Sequence, residues 1–407
     1  MKKPMTMVAG AMASISLFAA LSDVQSLQEP GTRRVRVSYT ITDAPAVVTL
    51  SVETNRGDNV WVSVGGQCLT AVRGDVNMIV QPGNHSIVWL PHVSWPNQNI
   101  LDGNIRVGVK AWALDNPPDY MVLSLVAGTA RYYADAESVP FGVTNDMYKT
   151  EYMVMRRIPA ANVEWRMGSP TGELGRGDNE NAHLVKLSSD YYMGVYPVTQ
   201  KQNKLMTNLD YSKSGHVGDT KPAIYFLMAE AKEWNYGIIA KMNAMFSGMA
   251  FTFPTEAQWE YACRAGEGAA LYTGKEITTK EKAFCPNVDE VAWFGDENNG
   301  SNGNTSCLQP VGLKKPNSWG LYDMLGNVCE YCLDLSSATP AAYEEGAGGA
   351  AVVDPTGPAS GDRNVVRGGN WWYEAKWCRS AFRSSQKPGS KGDTIGMRLV
   401  APAVAVR

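Results

Sequence analysis

Between about Arg33 and Val126 the chain alternates apolar and polar residues with a period of two, and no helical period interrupts it. Val35, Val37, Tyr39 and Ile41 alternate with Arg36, Ser38 and Thr40, which puts one apolar row on one face of a pleated strand. Further strand-like runs are Val47–Val52, Val60–Val64, Met78–Val80, Ile87–Leu90, Ile105–Trp112 and Met121–Val126. Turn residues separate them, among them Asn55-Arg56-Gly57-Asp58, Gly65-Gly66, Pro82-Gly83-Asn84 and Asn116-Pro117-Pro118. Short strands at this spacing predict an all-β sandwich over 30–127, an accessory or spacer domain. His85 and His92 fall on opposite sides of a strand without an acidic neighbour in sequence and carry no metal expectation.

A hydrophobic fraction of 44% with 19% charged residues is the composition of a folded chain, and 407 residues leave room for a second domain. The formal charge of −3 and the lack of a basic stripe exclude nucleic acid as the expected partner. Lys2, Lys3, the apolar run Val8–Leu21 and the small residues Ala19, Ala20 and Ser22 read as a secretory signal peptide over 1–22. That run is short for a membrane span, and no other stretch approaches one, so the expected location is secreted, periplasmic or cell-envelope. Seven cysteines in an oxidising compartment predict disulfides, with at least one thiol left free or linking to another chain.

Residues 128–148 are poorly periodic and read as a linker; a second domain is expected over 149–403. Met153–Ile158, Val185–Leu187 and Tyr191–Val195 have strand character, and Thr199 can cap a helix starting near Gln200. Ile224–Met242 carries apolar residues on one helical face. Thr255 and Gln258 form a capping-box pattern ahead of a helix that buries Trp259, Ala262 and Cys263. Cys285 and Cys307 stand near the ends of a long loop region that a disulfide would restrain, and 336–363 reads as an exposed loop.

The last informative stretch is Val365–Val400. Gly368-Gly369 comes after a strand-like run, and Trp371, Trp372, Tyr373, Trp377, Cys378, Arg379 and Arg383 come after the glycines. Twin glycines suit a sharp turn or a close backbone approach. The residues beyond such a turn could form an active site, a recognition surface or the closing layer of a core.

Four stretches in order resemble the formylglycine-generating enzyme family, also called the sulfatase-modifying factor domain. They are Met167-Gly168-Ser169, Phe253 to Tyr261, Gly320 to Val328, and Arg367-Gly368-Gly369 through Arg398-Leu399. The resemblance covers about residues 150–402 and implies a loop-rich variant of the C-type-lectin-like fold, giving an α+β class overall. In members that make formylglycine, two cysteines in the glycine-pair stretch hold copper(I), activate oxygen and oxidise a cysteine of a sulfatase peptide to the aldehyde. Cys378 matches the second of these; Tyr373 stands at the first, and Asn370 replaces the serine after the glycines. A phenol is a poor copper(I) ligand, so copper is not expected here.

The resemblance further implies a structural calcium at Asp323, Gly326, Val328 and Glu330, whose oxygen donors suit a hard ion. Cys332 stands in the segment that packs near Cys378 in this fold, which implies a Cys332–Cys378 disulfide, with a free reactive thiol at Cys378 as the alternative. A family branch with a three-histidine iron site on an added helical domain is disfavoured by a chain with four histidines and a β-type N-terminal domain. The reading that results is a secreted, non-catalytic binding module. Asn370, Trp372, Tyr373, Glu374, Trp377, Arg379 and Arg383 would receive a peptide, a glycan or an extracellular protein. A copper- and oxygen-dependent oxidoreductase with Cys378 as its catalytic residue and a structural envelope component are the alternatives.

Overall fold

The computed structural model describes residues 20–98, 104–280, 283–295, 303–336 and 346–403. Most of the expected signal peptide lies outside them, as does 296–302 of the loop region beyond Cys285.

The alternating N-terminal region forms eight strands: β1 (Ala20–Gln28), β2 (Val35–Thr42), β3 (Ala46–Asn55), β4 (Trp61–Ser63), β5 (Val72–Gly74), β6 (Met78–Val80), β7 (Gly83–Trp89) and β8 (Ile105–Trp112). One sheet has the order β1-β2-β7-β5; in the other, β3 pairs with β4, β6 and β8. Between them lies a core of Val35, Val37, Tyr39, Ile41, Val48, Leu50, Val52, Ile87 and Trp89, the inward row that the alternation predicts. Val47, on the opposite face of β3, is buried instead in the core of the second domain, with Ile79 and Trp112 packed against it. The sandwich is therefore docked, not merely tethered. His85 does acquire an acidic neighbour, Asp75 at 2.9 Å, because a turn in the adjacent β5–β6 connection returns beside it.

β9 (Tyr120–Ser124) and β10 (Thr129–Tyr133) correct the expected boundary. They do not close the sandwich or form a linker. They pair with β11 (Tyr152–Ile158), β14 (Tyr191–Gly194) and β20 (Val400–Pro402) in a five-stranded antiparallel sheet, order β10-β9-β11-β14-β20. β9 is buried along its whole length, as a strand inside a covered sheet must be, and a two-sided apolar run does not reveal which sheet it joins. A three-stranded sheet contains β12 (Val163–Met167), β13 (His183–Leu187) and β16 (Val352–Val353). A four-stranded sheet has the order β18-β17-β15-β19, from β15 (Cys329–Ser336), β17 (Arg363–Arg367), β18 (Arg383–Gln386) and β19 (Ile395–Gly396).

Helices are few and short: α1 (Pro91–Ser94), α2 (Gln200–Thr207), α3 (Met228–Lys232), α4 (Ile238–Met245), α5 (Glu256–Arg264) and α6 (Pro286–Asp289). The expected capping box of Thr255 with Gln258 forms, and the expected cap at Thr199 is a capping box too, with Gln202. The single helix expected over Ile224–Met242 is two helices. Gly237 N–H bonds the Trp234 carbonyl in a turn between them, and a Cβ at Gly237 would sit 2.2 Å from the Glu230 carbonyl oxygen. Taken together the molecule is mixed α/β, dominated by strands.

Candidate functional site

β17 delivers Arg367 to the interior and then turns through Gly368 (φ 98°) and Gly369 (φ 71°), both left-handed. The turn is tight as well as left-handed. A Cβ at Gly368 would lie 2.8 Å from the Met324 carbonyl oxygen, and one at Gly369 2.6 Å from the Trp377 carbonyl oxygen and 2.9 Å from Cys378 Sγ. Asn370, buried, fixes the backbone of the next residues. Its Oδ1 accepts the N–H groups of Trp372 (3.0 Å) and Tyr373 (3.2 Å), while its Nδ2 donates to Cys329 Sγ at 3.4 Å.

The aromatics divide into two sets. Trp371 is buried, edge-on to Trp372 and 4.9 Å from the His216 ring, with its indole N–H on the Asp393 carbonyl at 3.2 Å. Trp372 is 37% exposed and Tyr373 49%. Tyr373 sits 6.2 Å from Trp377, whose indole N–H donates to Glu374 at 2.8 Å and whose face carries the Lys376 ammonium at 5.0 Å. The Tyr373 carbonyl accepts the Gly295 N–H at 2.8 Å. That contact brings in Phe294 and the exposed Phe284 stacked on it at 6.2 Å, an aromatic pair not anticipated from sequence.

Arg379 and Arg383 are among the expected ligand contacts, and here the structure corrects the expectation. Arg379 is buried and bonds Glu173 (2.6 Å) and both oxygens of Glu180 (2.8 Å each). Arg383 is buried and clasps both oxygens of Glu256 at 2.7 and 2.8 Å. A guanidinium taken out of water needs carboxylate partners in good geometry, and both have them. Arg367 completes the set against Glu260 and Glu256, and Arg264 bonds Glu260 at 2.8 Å. These arginines brace the turn from beneath. They do not face a ligand.

All seven cysteines are free thiols, so neither expected disulfide is formed. Cys285 is sealed in and accepts from Thr278 N–H at 3.4 Å, whereas Cys307 is partly exposed and faces the Gln309 amide at 3.4 Å. Cys332 lies among the charges of Asp334, Glu256, Arg367 and Glu330, while the thiols that bear electrostatically on Cys378 are Cys329 and Cys285. Burial pushes the Cys378 thiol far above its ordinary range, with those two neighbours adding to the effect; burial likewise lifts Cys329 to about 12. Neutral, buried thiols are poor nucleophiles. Cys378 is 0% exposed while Tyr373 is half in solvent, so the two positions that would share a copper ion occupy different environments. These residues do not fit copper(I).

The two carboxylates among the implied calcium ligands, Asp323 and Glu330, are bonded to protein donors. Asp323 Oδ2 accepts the Gly312 N–H at 2.6 Å. Glu330 takes Arg398 Nε and Nη2 and the Trp259 indole N–H. A guanidinium already occupies the place beside Glu330 that a cation would need, and the carboxylates fit protein donors better than a hard ion. Among the described residues no group of three or more His, Cys, Asp or Glu side chains is placed to hold a metal.

A loop-rich α/β domain with a twin-glycine turn, braced by buried arginine–glutamate pairs and exposing aromatics, defines the class. The sulfatase-modifying factor enzyme 1-like domain family matches residues 145–403, and the chain belongs to that family. The formylglycine-generating enzyme of Streptomyces coelicolor is 38% identical over 149 residues, 36% of this chain and 45% of that protein. That of Thermomonospora curvata is 36% identical over 152 residues, 36% of this chain and 48% of that protein. The chain thus spans about half the length of these curated relatives. Among solved structures, Treponema denticola variable protein 1 is similar at 24% identity and a TM-score of 0.48, covering 62% of this chain and 95% of that one. PvdO from Pseudomonas aeruginosa is similar at 23% identity and 0.47, covering 61% and 94%.

Proposed function

We propose that this chain is an exported, non-catalytic member of the family whose turn 370–377 recognises a peptide segment of an extracellular or envelope partner. One contrast carries the reading: Cys378 is sealed and protonated with no thiol at position 373, while Trp372 and Tyr373 stand exposed on a backbone fixed by Asn370. Rigid aromatics on a preorganised turn give contact area at low entropic cost, and Glu374 and Lys376 supply charges of both signs at its rim. Export rests on Lys2, Lys3 and Val8–Leu21. Among the described residues no helix is long and apolar enough to cross a membrane.

The test has two arms. A cysteine-bearing sulfatase-motif peptide incubated with the protein, copper(I) and oxygen should keep its mass; conversion to the aldehyde would make the chain an oxidoreductase. Capture of exported-fraction proteins should be lost in Trp372→Ala/Tyr373→Ala with the thermal midpoint unchanged. Equal capture by the double variant would remove the turn from recognition, and retention only of glycans would change the ligand class.

A further inference from the structure

A cavity of about 520 Å³ opens between the sandwich and the β9–β10–β11 edge of the second domain, far from the twin-glycine turn in sequence and built from different elements. Its walls come from both sides: Leu69, Val72 and Arg73 from the sandwich, Arg131, Tyr133 and Tyr152 from the second domain. Its size is that of a small-molecule site, roughly 300–1,000 Å³, and domain junctions are where such sites concentrate.

The charge of this cavity is one-sided. Two guanidiniums line it and, among the described residues, no Asp, Glu or Lys does. Arg131 reaches only the Val76 carbonyl, at 3.4 Å, and neither arginine has a carboxylate partner among the described residues. The acids close by in sequence are occupied: Asp75 bonds His85 at 2.9 Å, and Asp135 accepts both the N–H and the hydroxyl of Ser138 at 2.8 Å. This contrasts with the second domain's interior, where Arg367, Arg379, Arg383 and Arg398 all meet glutamates. Tyr133 lies within electrostatic reach of Arg131 and Tyr152, so phenols and guanidinium converge on one wall; burial, the larger effect, lifts Tyr133 to about 12 and keeps it a donor. Thr129, Thr70, Tyr148 and Tyr152 also line it, although Tyr148 is buried with its hydroxyl on the Pro140 carbonyl and the Thr70 hydroxyl bonds the Gln67 carbonyl, so Thr129 and Tyr152 are the groups left to meet a ligand.

We infer that this junction binds a small acidic saccharide, its carboxylate or sulfate held by Arg73 and Arg131 and its ring against the tyrosines. Guanidiniums without a carboxylate partner favour a planar or tetrahedral oxyanion through charge-assisted bonds, and a tyrosine face with a flanking hydroxyl suits a polyhydroxylated body. A ligand there touches both domains, so it also fixes their docking.

The experiment is calorimetric titration of the full chain with glucuronate, glucose 6-sulfate and, as the neutral control, glucose. At least one of the two acids should bind, the stronger one showing which oxyanion is preferred, and should raise the thermal midpoint, while glucose does neither. Arg73→Gln, at an exposed position where folding is not at stake, and Arg131→Gln should each weaken binding about tenfold. Trp372→Ala/Tyr373→Ala should leave it unchanged, which separates this site from the proposed recognition turn. No heat from either acid, binding of glucose equal to the acids, or full affinity in Arg73→Gln and Arg131→Gln would overturn the inference. Should Arg131→Gln unfold, Arg73→Gln alone decides.

Discussion

Arg398 donates to Glu330 from Nε at 3.0 Å and from Nη2 at 2.7 Å, and the same carboxylate receives the Trp259 indole N–H at 2.7 Å. All three groups are buried, so helix α5, strand β15 and the segment leading into β20 meet at one charge pair. Arg398 also ties this point to the Gly194 carbonyl at 2.8 Å and the Tyr322 carbonyl at 2.7 Å.

Breaking this pair from one side leaves an uncompensated guanidinium in the core. Glu330→Ala should therefore lower stability by about 3–5 kcal/mol, read as the urea midpoint. Chelation of calcium should leave the wild-type midpoint where it is, because the Glu330 oxygens are already bonded. A midpoint that falls with chelator would return Glu330 to the role of metal ligand.

Two other buried carboxyls set a pH dependence. Burial raises Asp334 to about 7, with the Glu256 charge adding to it, and raises Asp323 to about 6. Each binds its proton more tightly in the folded state than in the unfolded chain. Their contribution is therefore full below about pH 4 and is lost as pH rises through 6 and 7. Asp334→Asn keeps an oxygen for the Glu256 N–H, bonded at 2.7 Å in the parent, and should flatten the decline in stability between pH 5 and 7.5. The gain at pH 7.5 should be on the order of a few kcal/mol. A parent and an Asp334→Asn protein whose urea midpoints fall by the same amount between pH 5 and 7.5 would show that Asp334 does not titrate in this window.

How much of the fold is legible in the sequence depends on distance along the chain. The cap at Thr199 and the capping box at Thr255 are set within three residues each, and the inward row Val35, Val37, Tyr39, Ile41 is a local alternation; all form as the sequence implies, the Thr199 cap completed by Gln202 into a box not anticipated from sequence. The twin-glycine turn is legible too, since left-handed geometry restricts the residue type wherever it occurs. The direction of the arginines is not. Arg379 finds Glu180 at a separation of 199 residues and Arg383 finds Glu256 at 127. An arginine beside tryptophans reads equally as a ligand contact or as half of a buried pair until its partner is placed. β9 shows the same limit in backbone form, for its apolar run fits either sheet, and only its ladder with Tyr152–Arg156 of β11 settles which one.

Thiol reactivity should track burial. Cys307, the partly exposed thiol, should react with Ellman's reagent in the native protein, and the other six only after unfolding. Peptide mapping after timed alkylation assigns each. Rapid native labelling of Cys378 would mean that the turn opens readily, and would reinstate that thiol as a candidate nucleophile.

The turn itself can be tested at Gly369. With φ at 71° and the Trp377 carbonyl oxygen 2.6 Å from any Cβ, Gly369→Ala combines backbone strain with a clash against main chain, which cannot yield as a side chain can. A destabilisation of about 2–4 kcal/mol is expected. Gly389, where a Cβ would meet nothing within 4 Å, is the matched control and should accept Ala with little change. The informative second readout is Cys378, whose sulfur lies 2.9 Å from the same Cβ position. If the twin-glycine turn is what seals that thiol, Gly369→Ala should speed its alkylation under conditions where the rest of the protein stays folded, while Gly389→Ala should not. A Gly369→Ala protein as stable as the parent, with Cys378 still silent, would show that the turn tolerates a side chain and that the thiol is sealed by something else.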